Sequence, residues 1–213
     1  MIVYDDEQGS PEWHAARAGV TTASMFSTAR GKYESGANKG QPLKGALDYA
    51  FGLAIERISG LPLDDGFETF YTRRGHELEP VALDKYETLT GNIVTRCGFV
   101  STDDRKFGCS ADGLVGDAGG VEVKCWTDPV KLRAVLTGDS TDAVSDQCLG
   151  GMWLTRREWW DFVLYCPALE AIGRDLTVIR IHRDEDKITA LEADLVAFDK
   201  LVEGYREQLE QAA

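Results

Sequence analysis

Residues 109–125, CSADGLVGDAGGVEVKC, constrain the fold of this 213-residue chain more than any other stretch. Two β-prone runs flank the Gly-Asp-Ala-Gly-Gly reversal at 116–120, a composition that predicts an antiparallel hairpin. Side chains alternate along a strand, so Glu122 and Lys124 share one face while Val121, Val123 and Cys125 pack on the other. With the turn centred on Asp117 and Ala118, Asp112 falls opposite Val123, within reach of both charged groups. The spacing therefore crowds two carboxylates and an ammonium into one patch, backed by an apolar face.

Around this hairpin the periodicity changes repeatedly. Ser10 followed by Pro11 predicts a helix start, and Gly19 a left-handed end. A second short helix follows from near Thr22 to before Gly31, and residues 31–40 are polar and glycine-rich, as in a loop. Leu43, Leu47, Ala50, Phe51, Ala54, Ile55 and Ile58 recur at three- and four-residue spacing ahead of Gly60, which predicts an amphipathic helix over 42–59. Another helix is expected from about Thr69 to Leu89, bent or broken at Pro80. Residues 92–126 read as consecutive antiparallel strands with turns at 103–104 and 116–120. Residues 128–137 and 141–154 read as helices, and 158–166 and 174–182 as strands. From Asp184 onward a long amphipathic helix carries Ile188, Leu191, Leu195, Phe198, Leu201, Val202 and Tyr205 on one stripe. With no internal repeat and no linker, this order predicts a single α/β domain over 1–213, a central mixed β-sheet flanked by helices. Its parts are a helical region 1–91, a sheet core 92–183 and a C-terminal helix 184–213.

The charge balance bears on partners. Against 23 Lys plus Arg stand 36 acids, a formal −13, which by itself disfavours phosphate backbones, whose affinity comes from cations that displace counterions. An acidic, non-catalytic DNA mimic or protein-binding module would suit such a charge. Yet residues 184–213 hold nine acids and three bases, so −6 of the total lies in the C-terminal helix. The pairs Arg73-Arg74, Arg105-Lys106 and Arg156-Arg157 are candidates for a local positive track, with surface ion pairing their commoner fate. Cys97, Cys109, Cys125, Cys148 and Cys166 form no CxxC pair and suggest reduced, buried thiols. The acidic start MIVYDDEQGS lacks the basic-then-apolar pattern of a signal peptide. No apolar run approaches the roughly 20 residues that span a bilayer. A soluble, cytoplasmic chain with no membrane partner is expected.

Two carboxylates sharing a site repel unless a cation intervenes, and an all-oxygen carboxylate set is what Mg²⁺ or Mn²⁺ prefers. Such an ion activates water and stabilises charge on a phosphodiester, with a neighbouring lysine orienting or helping to deprotonate that water. On pattern alone the same residues also fit a surface hairpin bearing an exposed Asp and an ordinary Glu/Lys pair.

Taken together, Ser110-Ala111-Asp112-Gly113-Leu114 and Glu122-Val123-Lys124 resemble the PD-(D/E)XK nuclease superfamily, specifically its lambda exonuclease and YqaJ-type viral recombinase branch. Ala111 replaces the usual Pro before the Asp. The run 12–24, EWHAARAGVTTAS, is similar to the family's Trp-x-x-x-Arg-x-Gly-x-x-x-Ala-Ser segment, which assigns Arg17 and Ser24 to the 5′-phosphate of a DNA end. Residues 73–91 resemble the Gly-x-x-x-Glu helix and place Glu79 as a catalytic helper at the metal site. Residues 145–167 resemble a glutamine-bearing helix followed by a strand ending in Tyr-x-Pro, with Gln147 as a phosphate contact and Leu149 where a second glutamine is common.

The resemblance implies a restriction-endonuclease-like core and a Mg²⁺-dependent (or Mn²⁺-dependent) exonuclease digesting one strand of double-stranded DNA from the 5′ end, in phage recombination. It implies Asp112, Glu122 and the carbonyl of Val123 as metal ligands, Lys124 at the attacking water, and Ser110 as a further phosphate hydroxyl. It also implies a homotrimeric ring and a single-strand annealing protein as partner. Other chemistries find no support. Gly36 to Gly40 lacks the hydroxyl of a phosphate loop, and His14, His76 and His182 stand in no nucleophile-elbow context. Cys148 and Cys166 make no iron–sulfur cluster, and Trp153, Trp159 and Trp160 fit core packing better than base stacking.

Overall fold

The computed structural model describes residues 1–63, 70–138 and 140–212, with the side chains of 70–72 and 143 excepted. The expected helix start at Thr69 lies outside the described residues. Two compact units form, one from Met1–Asp65, Gly98–Ser110 and Asp184–Ala213, the other from Gly66–Cys97 and Ala111–Arg183.

In the first unit, β1 (Ile2–Tyr4), β2 (Thr21–Thr22), β4 (Phe99–Ser101) and β5 (Phe107–Cys109) make a mixed sheet of order β1-β4-β5-β2. Its helices are α1 (Pro11–Arg17), α2 (Phe26–Ala29), α3 (Lys44–Ser59) and α7 (Glu185–Gln211). Ser10 caps α1 by accepting the Trp13 N–H, with Pro11 in the first turn, as its sequence requires. The stripe of α7 buries Ile188, Leu191, Leu195, Phe198 and Val202, and with them Asp199. That carboxylate accepts Arg57 Nη1 at 2.7 Å and Lys106 Nζ at 2.6 Å. Nearby, Asp194 takes Arg30 at 2.8 Å and Lys32 at 2.6 Å. Acids of the C-terminal helix are thus anchors for cations of the same unit. Asp199→Ala leaves the largely buried Arg57 guanidinium, 13% exposed, with Glu203 as its one acidic partner among the described residues. It is expected to cost about 3 kcal/mol, read as a lowered urea midpoint at unchanged slope.

The second unit holds a five-stranded sheet of order β3-β6-β7-β8-β9. Its strands are β3 (Val94–Thr95), β6 (Gly113–Val115), β7 (Gly119–Lys124), β8 (Trp159–Tyr165) and β9 (Leu176–His182). β7 and β8 run parallel, which requires a crossover, made by α5 (Pro129–Leu136) and α6 (Asp142–Thr155); the other pairs are antiparallel. The apolar face of β7 and β8, Val121, Val123, Val163 and Tyr165, packs on Ala82, Leu83 and Tyr86 of α4 (Phe70–Thr90). Pro80 does not end α4. It removes one hydrogen-bond donor, and burial of Ala82, Leu83 and Tyr86 in the following turns offsets that loss, so the helix continues to Thr90. No described helix is long and apolar enough to cross a membrane.

Two expectations change in detail. The strands of 92–126 divide between two sheets, because alternation identifies a strand without saying which sheet it joins. The β6–β7 hairpin pairs Gly113 with Val121, Leu114 with Gly120 and Val115 with Gly119. Its loop has three residues, opened by Gly116 at φ +50°. Continuing that register sets Asp112 opposite Glu122, one position from the expected Val123.

Tandem tryptophans explain the glycines of β7. In the parallel register Gly119 faces Trp159 and Gly120 faces Trp160. A Cβ on Gly119 would sit 2.1 Å from the Trp159 ring, and one on Gly120 2.4 Å from that of Trp160. Trp160 is 2% exposed, and Arg180 lies 3.6 Å over the ring of Trp159 while two of its nitrogens bond the buried Asp161 at 2.8 Å. These rings are structural, as core packing requires.

Candidate active site

Glu122 and Lys124 leave β7 on the face away from α4. Lys124 Nζ donates to Glu122 Oε1 at 2.6 Å, and Gln147 Nε2, from α6, donates to the same oxygen at 2.7 Å. Asp112, just before β6, accepts the Val123 N–H on Oδ2 at 2.6 Å. Among the described residues no donor reaches Asp112 Oδ1 or Glu122 Oε2. Glu79 comes from α4 and pairs with Arg96 at 3.6 Å.

The electrostatics follow from this enclosure. Burial first, then the charge of Asp112, pushes Glu122 up to about 7, against the ammonium of Lys124 and the donors on Oε1. Burial and then Glu79 push Asp112 up to about 7, against Lys124 and the Val123 N–H. Glu79 is raised chiefly by burial, with Arg96 and His76 opposing. Burial alone would lower Lys124, but Glu122 and Asp112 outweigh it and hold the ammonium well above its ordinary range. Burial also pushes the thiols of Cys125, to about 11, and of Cys148 upward, so neither offers a thiolate.

Among the described residues no three His, Cys, Asp or Glu side chains converge closely enough to hold an ion unaided. Mg²⁺ does not need three, since it keeps several waters and is bound through one or two carboxylates plus substrate phosphates. A buried Glu122 raised by its neighbour Asp112, and a half-buried Asp112 raised by Glu79, each with one oxygen unengaged among the described residues, fit such an ion.

The remaining predicted residues gather in the first unit. Arg17 Nη1 donates to Ser110 Oγ at 3.2 Å, and Trp13 Nε1 donates to the same oxygen at 2.9 Å. That hydroxyl accepts twice and keeps its own proton to give. The guanidinium lies 4.0 Å over the Trp13 ring, and among the described residues no carboxylate pairs with it. Burial pulls its pKa down. Ser24, exposed, meets Thr22 Oγ1 at 3.3 Å.

Sequence reasoning missed what supports these groups. Trp13 is four residues from Arg17 on one helix, and that spacing was the available signal. Glu56 and Arg57 carry none: they grip the backbone of Gly19, Glu56 Oε2 accepting its N–H and Arg57 Nε donating to its carbonyl, both at 2.8 Å. Gly19 has φ +73°, and a Cβ there would meet Arg57 Cγ at 2.7 Å, so the turn between Arg17 and Ser24 is pinned to α3. The expected positive track is largely committed inward. Arg74 bonds the Cys125 carbonyl, Arg105 that of Ala16, Lys106 bonds Asp199, and Arg157 holds the carbonyls of Gly116 in the hairpin loop and of Gly119 at the start of β7.

A family model of the YqaJ-like viral recombinase domain matches residues 12–158. Among solved structures, the alkaline exonuclease LHK-Exo from Laribacter hongkongensis is 31% identical over 95% of this chain and 97% of its own, with TM-score 0.79. LHK-Exo in complex with dAMP gives 0.81 at the same identity and coverage. A phage-related exonuclease from Haemophilus somnus 129PT, 20% identical over 91% of this chain and 96% of its own at TM-score 0.65, shares the fold. No curated protein matches.

Proposed function

The chain belongs to the YqaJ-like viral recombinase family, and from that premise we propose a divalent-cation-dependent exonuclease that digests one strand of linear duplex DNA from its 5′ end in phage-type recombination. One observation carries the reading: a buried Glu122 and a half-buried Asp112 share one patch beside Lys124, at a cost in charge that a cation offsets.

Asp112, Glu122 and the Val123 carbonyl are the groups that would hold the ion. Mg²⁺, or Mn²⁺ in its place, supplies a Lewis acid for the phosphodiester and lowers the pKa of water. Lys124, kept as an ammonium by its two carboxylate neighbours, orients the attacking water and offsets negative charge growing on the phosphate. Glu79, a further carboxylate from α4 whose charge adds to that of Asp112, would assist the ion or its waters. Hydrolysis passes the water oxygen to phosphorus and releases the 3′-oxygen, leaving a nucleoside monophosphate of the kind bound by LHK-Exo in its dAMP complex.

Arg17, Ser24 and Ser110 bind the terminal phosphate in this reading. A guanidinium without a carboxylate partner among the described residues, braced by Trp13, suits a phosphate, as does the Ser110 hydroxyl, which donates to none of them. Arg17→Ala is expected to reduce the preference for 5′-phosphorylated over unphosphorylated ends by about 10- to 100-fold. Equal loss on both ends would contradict the anchor role. The family resemblance extends the proposal to a homotrimeric ring around DNA, acting with a single-strand annealing protein in the cytoplasm. Digesting end-labelled linear duplex with and without Mg²⁺ tests the core reading, and activity indifferent to divalent cations would refute it.

A further inference from the structure

We propose that Gln147 is a positioning residue for the cation-holding carboxylate, locking Glu122 so that one of its oxygens is reserved for the ion; this rests on the reading of the site given above. Gln147 Nε2 and Lys124 Nζ converge on Oε1 of Glu122 at 2.7 and 2.6 Å. Two donors on one oxygen fix the carboxylate's rotation and leave Oε2 unengaged. The carboxylate's stem is equally restrained, because Glu122 is 2% exposed on a strand paired on both sides.

The residue type matters. A carboxylate at position 147 would add repulsion to a patch already short of cations, and a second ammonium on Oε1 would compete with the ion. A neutral amide orients without altering the charge balance. Glu122 uses one amide hydrogen, so the other hydrogen and the side-chain carbonyl remain for water or a phosphate. Orientation of Glu122 and contact with DNA are compatible in one side chain. Partners of this kind, bonded to a metal ligand, set metal affinity.

The test is Mn²⁺ binding to the full chain without DNA, by calorimetry and electron paramagnetic resonance, for wild type, Gln147→Ala, Gln147→Met and Glu122→Gln. The methionine variant keeps the side chain's length and removes only its donor, so a packing defect in the alanine variant does not obscure the result. Both Gln147 variants are expected to bind Mn²⁺ about 10- to 100-fold more weakly, to melt like wild type without metal, and to recover digestion at raised Mg²⁺. Unchanged Mn²⁺ affinity in the methionine variant overturns the positioning role. Wild-type Mn²⁺ binding that Glu122→Gln leaves untouched overturns the cation site itself, and the inference with it.

Discussion

Lys124→Ala is expected to lower divalent-cation-dependent digestion of linear duplex DNA by roughly 10²–10⁴-fold, the range for removing a group that handles charge or protons at the reacting centre. The ammonium lies 2.6 Å from Glu122 Oε1 and opposes the upward push on both carboxylates. Its loss also leaves Glu122 buried without a cation, which that residue meets by taking up a proton rather than by unfolding the strand. The variant should therefore keep its circular dichroism spectrum and remain inactive at every Mg²⁺ concentration, in contrast to the metal-rescued Gln147 variants. Activity near that of wild type would sink the assignment of Lys124 to catalysis.

The metal-free protein is expected to lose stability as pH rises from about 4 to 8, and Mg²⁺ or Mn²⁺ to restore it. Asp112 and Glu122 ionise near 7 when folded, against ordinary values of 3.8 and 4.5. Between those limits the folded chain holds protons that the unfolded chain has released. Their contribution is complete below about pH 4 and is lost as pH climbs through 7. A tenfold change in a proton's affinity is about 1.36 kcal/mol, so two displaced carboxylates amount to a few kcal/mol, and at roughly 2–4 °C per kcal/mol the melting point moves by several degrees. The cation's stabilising effect should be larger at pH 8 than at pH 5. A metal-free melting curve flat from pH 5 to 8, with no added effect of Mg²⁺, would contradict the enclosure of both charges.

Much of the fold was legible because its signals are local. Period-two alternation in 119–124 and period-three-and-four spacing in α3 and α7 report faces directly, and Ser10-Pro11 reports a helix start. The Asp and Glu-x-Lys cluster was legible for the same reason, with its register off by one because loop length at 116–118 is set by backbone geometry that composition does not reveal. What stayed hidden depends on long-range partners. Asp199 reads as one acid among many in α7, and only Arg57 and Lys106 make it a buried anchor. Gln147 reads as a phosphate contact, and nothing in its sequence surroundings shows that one of its amide hydrogens is given to Glu122. The net charge misleads similarly. An acidic mimic needs its carboxylates turned outward, whereas Asp194, Asp199 and Glu203 are each engaged by cations of their own unit.

The seating of Trp159 and Trp160 over Gly119 and Gly120 makes β7 a keyed strand. Two bulky rings fit two notches, and sliding the strand by one residue would drive a valine Cβ into an indole. Such a slip would also reverse the faces of β7, turning Glu122 and Lys124 toward the apolar packing of α4. Fidelity of the chemistry therefore begins with the absence of side chains two and three positions upstream of Glu122. Lineages that preserve the carboxylates but enlarge either notch would have to shrink the facing tryptophan in step, or forfeit the site while retaining every residue in it.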